Sequence, residues 1–195
     1  MPADEMSVLS YVMNKKEKWQ MELTDVMLKR RSIRQYTEEA IPQDKLEKIL
    51  KAGLIAPTSM NRKPCEMIVV RDKATLVQLS QTKSAGANML AECNAAIVVI
   101  ADSHKADTWI EDSSIALAYM SLMAIDAGVG NCWCQIHLRK TSEGQDAESV
   151  VRHLLKLADE YRIVGILALG MAKTDLPSHT WDEADMTKVH GWQAE

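Results

Sequence analysis

The 195-residue sequence lacks most features that would assign it at once. No uninterrupted apolar run reaches about 18 residues, which excludes a membrane-spanning helix. No basic excess exists: 23 Lys and Arg against 27 Asp and Glu leave a net charge of −4, which argues against a general nucleic-acid binder. Residues 1–10 contain no basic stretch followed by an apolar one, so no secretory signal is read there. The four cysteines (Cys65, Cys93, Cys132 and Cys134) form no CxxC pair, and we read them as reduced thiols of a cytoplasmic protein. Cys132 and Cys134 have His137 nearby but no second ligand pair, so no metal site is expected. There is no internal repeat, low-complexity tract or linker. What remains is a soluble globular composition, 47% hydrophobic and 26% charged, long enough for one substantial core.

On this acidic chain one local cluster is strongly basic. Arg30, Arg31, Ser32 and Arg34 put three guanidinium groups and a hydroxyl within five residues. Arg presents a planar, permanently charged fork that matches phosphate oxygens, and a hydroxyl can complete the shell. The cluster follows a helical pattern, so it lies at the negative end of a helix dipole and any anion must be held by side chains. The same position also suits a merely solvated basic helix end. A small anionic ligand fits the acidic background better than a polyanion does.

A second polar stretch, Pro57, Thr58, Ser59, Met60, Asn61, Arg62, Lys63 and Pro64, is bracketed by prolines that stiffen it. Its hydroxyls and carboxamide suit a heteroaromatic edge or a sugar alcohol, although a capping turn uses the same residues. A third stretch runs Gly128, Val129, Gly130, Asn131, Cys132, Trp133. It is not a dinucleotide fingerprint, because it follows a helical pattern rather than a strand and lacks the third glycine.

Periodicity predicts helices over residues 23–31, 43–56, 73–81, 85–93, 107–127 and 147–157. Leu23, Val26, Met27 and Arg30 fall on one side of the first. The helix over 107–127 is apolar nearly all round, as in a core or an interface. Apolar runs over 66–71, 95–101 and 161–170 predict strands, the first read as buried and the second as central. Residues 131–136 form a strand or an extended turn, with Gly128 suited to a left-handed cap before it. The tail from 171 carries Trp181, His190 and Trp192 and is expected to dock. Strands alternating with helices indicate an α+β or α/β sandwich.

In this order and spacing, the three polar stretches resemble the nitroreductase family of flavin enzymes. The family pattern is a basic-basic-Ser-x-x-basic opening, a Pro-Ser-Ser/Thr-x-Asn-x-x-Pro loop and a Gly-x-Gly-x-x-Trp turn. The resemblance runs from about residue 21 to the C-terminus, leaving 1–20 as an extension. It implies an α+β fold (an α/β sandwich) with a central mixed sheet flanked by helices, in an intertwined homodimer with FMN at the subunit interface. By the same resemblance Arg30, Arg31, Ser32 and Arg34 match positions holding the phosphate and ribityl chain. Pro57, Thr58, Ser59 and Asn61 match a loop reaching the flavin from the partner subunit. Trp133, Cys134, Gln135 and Ile136 match the backbone facing the flavin N5. The implied activity passes hydride from NAD(P)H through flavin to an electron-poor acceptor such as a nitroaromatic or quinone, by a ping-pong mechanism. No catalytic side chain is needed.

The chain departs from the family at several points. Cys65 follows Pro64 where a Trp is frequent. No clear basic residue stands at the C-terminal phosphate contact, for which His179 and Lys173 are candidates. There is no Phe, so an aromatic wall over the flavin would come from Trp or Tyr. A non-catalytic flavin carrier, and a specialised flavin reaction such as reductive dehalogenation or flavin breakdown, are the alternatives.

Overall fold

The computed structural model describes residues 21–192. The extension expected over residues 1–20 lies outside the described residues. The helices are α1 (Leu23–Lys29), α2 (Gln43–Leu54), α3 (Lys73–Ser80), α4 (Met89–Glu92), α5 (Trp109–Asp126) and α6 (Ala147–Leu154). The strands are β1 (Cys65–Val70), β2 (Ala95–Asp102), β3 (Gly130–Gln135) and β4 (Tyr161–Gly170).

One sheet, in the order β1-β2-β4-β3, organises everything else. All three pairings are antiparallel. The mixed sheet expected from the sequence is therefore corrected in its four strands. Among the described residues a parallel contact survives only as the isolated bridge Ser32–Asn131, where the segment after α1 meets β3. The α+β class stands.

Both faces of the sheet are covered, and the period of two along each strand sorts side chains between two cores. One face carries Val98, Cys132, Cys134, Ile163 and Ile166 and is packed by Leu76, Leu79 and Val151 from α3 and α6. The other carries Ile97, Val99, Val164 and Leu167 and is packed by Leu46 and Ile49 of α2 and Leu117 and Met120 of α5. Strands β2 and β4 are central and continuously buried, as their unbroken apolar runs require. The apolar β1 was expected to be buried too, but it is an edge strand and only Val70 is fully covered. An apolar run signals a strand without saying which neighbour it lacks.

The caps are largely local chemistry. Asp72 and Asp146 accept N–H bonds from Thr75 and Ser149 at the starts of α3 and α6. Gly128 ends α5 with φ +68°, the left-handed cap its position predicts. Gly165 is required for close approach: a Cβ there would meet Trp133 Nε1 at 2.6 Å.

Helix α5 buries one face, including Ala116, Leu117 and Met120, against the sheet. Its other face leaves Tyr119 exposed. On α1 only Val26 is buried, and Leu23 is 65% exposed. Leu23 and Met27 instead line an open groove of about 1180 Å³ with Ile55, Tyr119, Leu122 and Met123.

Candidate functional site

The free edge of β3 is where the basic cluster lands. Ile33 N–H donates to Asn131 O at 2.9 Å and seats the segment after α1 against the strand. Asn131 is itself fixed from behind, because Ser121 Oγ on α5 donates to its Oδ1 at 2.7 Å. Ser32 faces Cys132, and Arg30, Arg34 and Lys83 all lie close enough to oppose the burial that raises the Cys132 thiol's pKa. Lys83 Nζ also donates to Gln135 O at 3.2 Å. Lys83 was missed in the sequence, where it sits in an undistinguished Thr-Lys-Ser loop; only the fold brings it to β3.

No described carboxylate is in salt-bridge contact with these cations; Glu183 feels Arg31 only as a minor influence beside its bond to His179. Arg34 Nη1 donates to Ser32 O and Arg31 Nη1 to Pro177 O, both neutral carbonyls. Arg30, Arg31 and Arg34 form no salt bridge with any described carboxylate. Like charges held together without a paired carboxylate keep their donors open to an anion.

The parity of β3 selects its free main-chain groups. Asn131 turns its carbonyl to Ile33 and Gln135 turns its carbonyl to Lys83, both away from β4. In an antiparallel pair, alternate residues turn both main-chain groups outward, so Trp133 and Gln135 present N–H groups to the open edge. Cys134 pairs inward with β4 across from Ile166. Ile136 N–H donates to Val164 O at 2.9 Å. Within the segment 133–136, where the resemblance implies a main-chain N–H donor, the ladder uses the N–H groups of Cys134 and Ile136 and leaves those of Trp133 and Gln135 open.

The loop over 57–64 sits elsewhere. It precedes β1, at the opposite edge of the sheet, about 14 Å from β3 by three strand spacings. It also lies at the opposite end: Cys65 aligns with Ala101 and through it with Arg162, whereas Asn131 aligns with Leu169. Pro57, Thr58, Ser59 and Asn61 are thus at one corner of the sheet, and Arg30, Arg31, Ser32 and Arg34 are at the diagonal corner. One chain does not bring the two predicted half-sites together.

The loop is strained and internally bonded. Met60, Asn61 and Lys63 have φ of +51°, +55° and +48°. Thr58 Oγ1 accepts Lys63 N–H at 3.1 Å, and Asp112 Oδ1 on α5 accepts Ser59 N–H at 3.0 Å. The Ser59 hydroxyl and Asn61 carboxamide remain free of hydrogen bonds to other described residues.

At the tail, His179 N–H donates to Leu28 O at 2.8 Å, which brings the residue beside the cluster. Its ring bonds Glu183 Oε2 at 2.6 Å. A carboxylate thus engages Nδ1 and leaves Nε2 as the ring nitrogen open to a ligand. Lys173 lies opposite Gln35, with its N–H bonded to Gln35 O at 3.1 Å. The tail is anchored at Pro177 and His179, while Trp181 and Trp192 stay exposed.

The profile of the nitroreductase family matches residues 27–87 and 80–171. A protein of Archaeoglobus fulgidus, provisionally named as an NADH dehydrogenase/NAD(P)H nitroreductase, is 33% identical over 158 residues, covering 79% of this chain and 87% of its own. The chain belongs to the nitroreductase family. Among solved structures, an FMN-dependent nitroreductase of Clostridium difficile R20291 superposes with a TM-score of 0.83 at 39% identity, over 86% of this chain and 97% of its own. A provisionally assigned nitroreductase of Desulfovibrio desulfuricans, solved in complex with FMN, shares the fold at 20% identity with a TM-score of 0.72, over 90% of this chain and 99% of its own. This nitroreductase-family chain therefore carries its basic cluster and its polar loop on the family fold. Among the described residues no helix is long and apolar enough to cross a membrane.

Proposed function

We propose that this chain is an FMN-dependent NAD(P)H oxidoreductase acting on electron-poor acceptors such as nitroaromatics or quinones. We further propose that it works in the cytoplasm as a homodimer with each site shared between two subunits. The observation that carries the reading is the cluster of Arg30, Arg31, Arg34 and Lys83, free of salt bridges to described carboxylates, along the free edge of β3. Its donor set fits FMN: guanidinium forks and the Ser32 hydroxyl suit a phosphate and a ribityl chain, and the outward N–H groups of Trp133 and Gln135 suit a heteroaromatic edge. Bound FMN would supply the redox chemistry, accepting hydride from NAD(P)H in one half-reaction and returning it to the acceptor in the next. The protein's part is to bind, orient and tune. Arg34 and Lys83 keep positive charge beside the strand edge, which favours an anionic reduced ring.

The dimer reading rests on the diagonal separation of the two half-sites. A second copy must supply the loop of 57–61 to the edge of β3. The exposed Leu23, Ile55 and Tyr119 around the groove of α1, α2 and α5 give such a copy an apolar surface to cover. Light scattering at twice the 21.8 kDa chain mass is the expected result.

The deciding experiment is a visible spectrum of the purified protein before and after anaerobic NADPH. A flavin spectrum that bleaches supports the oxidoreductase. One that persists with both NADPH and NADH supports a carrier. Failure to take up added FMN overturns both readings.

A further inference from the structure

We propose that Asp112 is the positioning residue that holds the loop over 57–64 in its cofactor-facing shape; this rests on the FMN reading above. Asp112 lies in the first turn of α5 and is 2% exposed. It forms no salt bridge among the described residues. A buried carboxylate without a cation is costly unless hydrogen bonds satisfy it. Here Oδ1 accepts Ser59 N–H at 3.0 Å and Oδ2 accepts the Thr108 hydroxyl at 3.2 Å. The Thr108 bond is local to the helix start. The Ser59 bond spans 53 positions and reaches a strained segment of the chain.

That segment needs a restraint. Left-handed backbone suits Asn61, but Met60 and Lys63 gain nothing from it and oppose it sterically. Such strain persists only where surrounding bonds over-determine it, and it collects at ligand sites. Thr58 closes the loop on itself through Lys63 N–H. The bond to Asp112 ties the closed loop to a rigid helix. With the Ser59 N–H engaged, the Ser59 hydroxyl and the Asn61 carboxamide are the groups left to meet a ligand. Asp112 therefore acts through the loop and touches no cofactor.

The test uses the full-length protein. Asp112→Ala and Asp112→Ser remove the acceptor; the second keeps a hydroxyl near Thr108 so that the helix start survives. Asp112→Asn retains a carbonyl oxygen for Ser59 and is the conservative rescue. Ser113→Ala, one residue on and with its hydroxyl bonded among the described residues only to Cys65, is the control. Two readouts are taken: the rate of tryptic nicking at Arg62 in the FMN-free protein, and FMN affinity of the apoprotein by fluorescence quenching. For Asp112→Ala and Asp112→Ser we expect nicking faster and FMN affinity weaker by roughly tenfold or more, the size of one lost charge-assisted hydrogen bond. Asp112→Asn should fall close to the unsubstituted protein, and Ser113→Ala should match it. Unchanged nicking overturns the tether. Faster nicking with unchanged FMN affinity overturns the cofactor-facing role. If the unsubstituted protein takes up no FMN, the reading of the site fails along with that role, while the nicking rates still decide whether Asp112 holds the loop.

Discussion

Two charge clusters border strand β3, and they are built in opposite ways. Along its free edge, Arg30, Arg31, Arg34 and Lys83 have no carboxylate partner among the described residues. Just past its end, charge is closed on itself. The buried Glu148 accepts bonds from both Arg162 Nε and Nη2, from His137 Nδ1 at 3.1 Å and from Ile163 N–H at 3.1 Å. Arg162 also stacks over Trp109, 5.0 Å from the ring centroid, and Trp109 meets His137 edge-on at 5.1 Å. The residue types are similar, but the second cluster is satisfied and the first is not. A satisfied cluster fixes the fold; an unsatisfied one keeps its donors free, as the proposed anion site requires. The difference separates a structural role from the proposed binding role without reference to any relative.

The largest effect should come from breaking the satisfied cluster. Glu148→Ala leaves Arg162 and Ile163 N–H without their acceptor and should cost about 3–5 kcal/mol of stability, read by denaturant unfolding. Loss of FMN affinity before loss of structure would show that the comparison is drawn in the wrong place. The same residue sets an acid limit. Burial pushes the Glu148 carboxyl up, but the bonds from Arg162, His137 and Ile163 N–H outweigh it and hold the group below its ordinary value of 4.5. The unfolded chain therefore binds the proton first. Stability from this group is complete above pH 4.5 and is lost as pH falls through the lowered folded value. In Glu148→Gln that part of the acid dependence should disappear, which a pH series of unfolding midpoints would measure.

The unsatisfied cluster should behave in reverse. Arg30→Ala or Arg34→Ala should weaken FMN binding by about 1.5–3 kcal/mol, the usual worth of a charge-assisted contact. Stability should move by no more than about 0.5 kcal/mol, because no described partner is stranded. Equilibrium dialysis and thermal unfolding of the same samples separate the two quantities. Full flavin retention in both variants would reduce the cluster to a solvated helix end.

The contrast also explains what could be read in advance. Elements were legible because their signals are local: Asp72 and Asp146 cap their own helices, Gly128 takes the left-handed cap, and the apolar runs of β2 and β4 need no distant partner to be recognised. The basic cluster was legible for the same reason, being packed into five consecutive residues. The satisfied cluster was invisible, because Trp109, His137, Glu148 and Arg162 come from four segments joined only by the strand register. Lys83 escaped notice on the same grounds. Parity was equally out of reach. Residues 133–136 form one stretch in the sequence, but only pairing with β4 shows that Trp133 and Gln135 face outward and that Cys134 and Ile136 do not. His179 lies beside the basic cluster, and its pairing with Glu183 four residues on became evident only once the tail took its helical turn. The edge position of β1 depends on topology, which its own apolar residues do not encode.

The smallest effect should come from the two thiols that lie between the clusters. Cys132 and Cys134 point from β3 into the core under α3, α4 and α6, beside Lys83 and Arg34. Those cations favour a thiolate, yet burial wins: the Cys132 thiol is raised, and that of Cys134 is pushed up to about 11. At neutral pH both stay protonated and poorly nucleophilic, so neither suits a redox or metal-binding role. Replacing both with Ala should leave FMN loading and NADPH turnover unchanged and cost about 1 kcal/mol of stability per site. Steady-state rates on the flavin-loaded double variant are the check. Turnover lost from a folded, flavin-loaded double variant would show that β3 contributes side-chain chemistry as well as a strand edge.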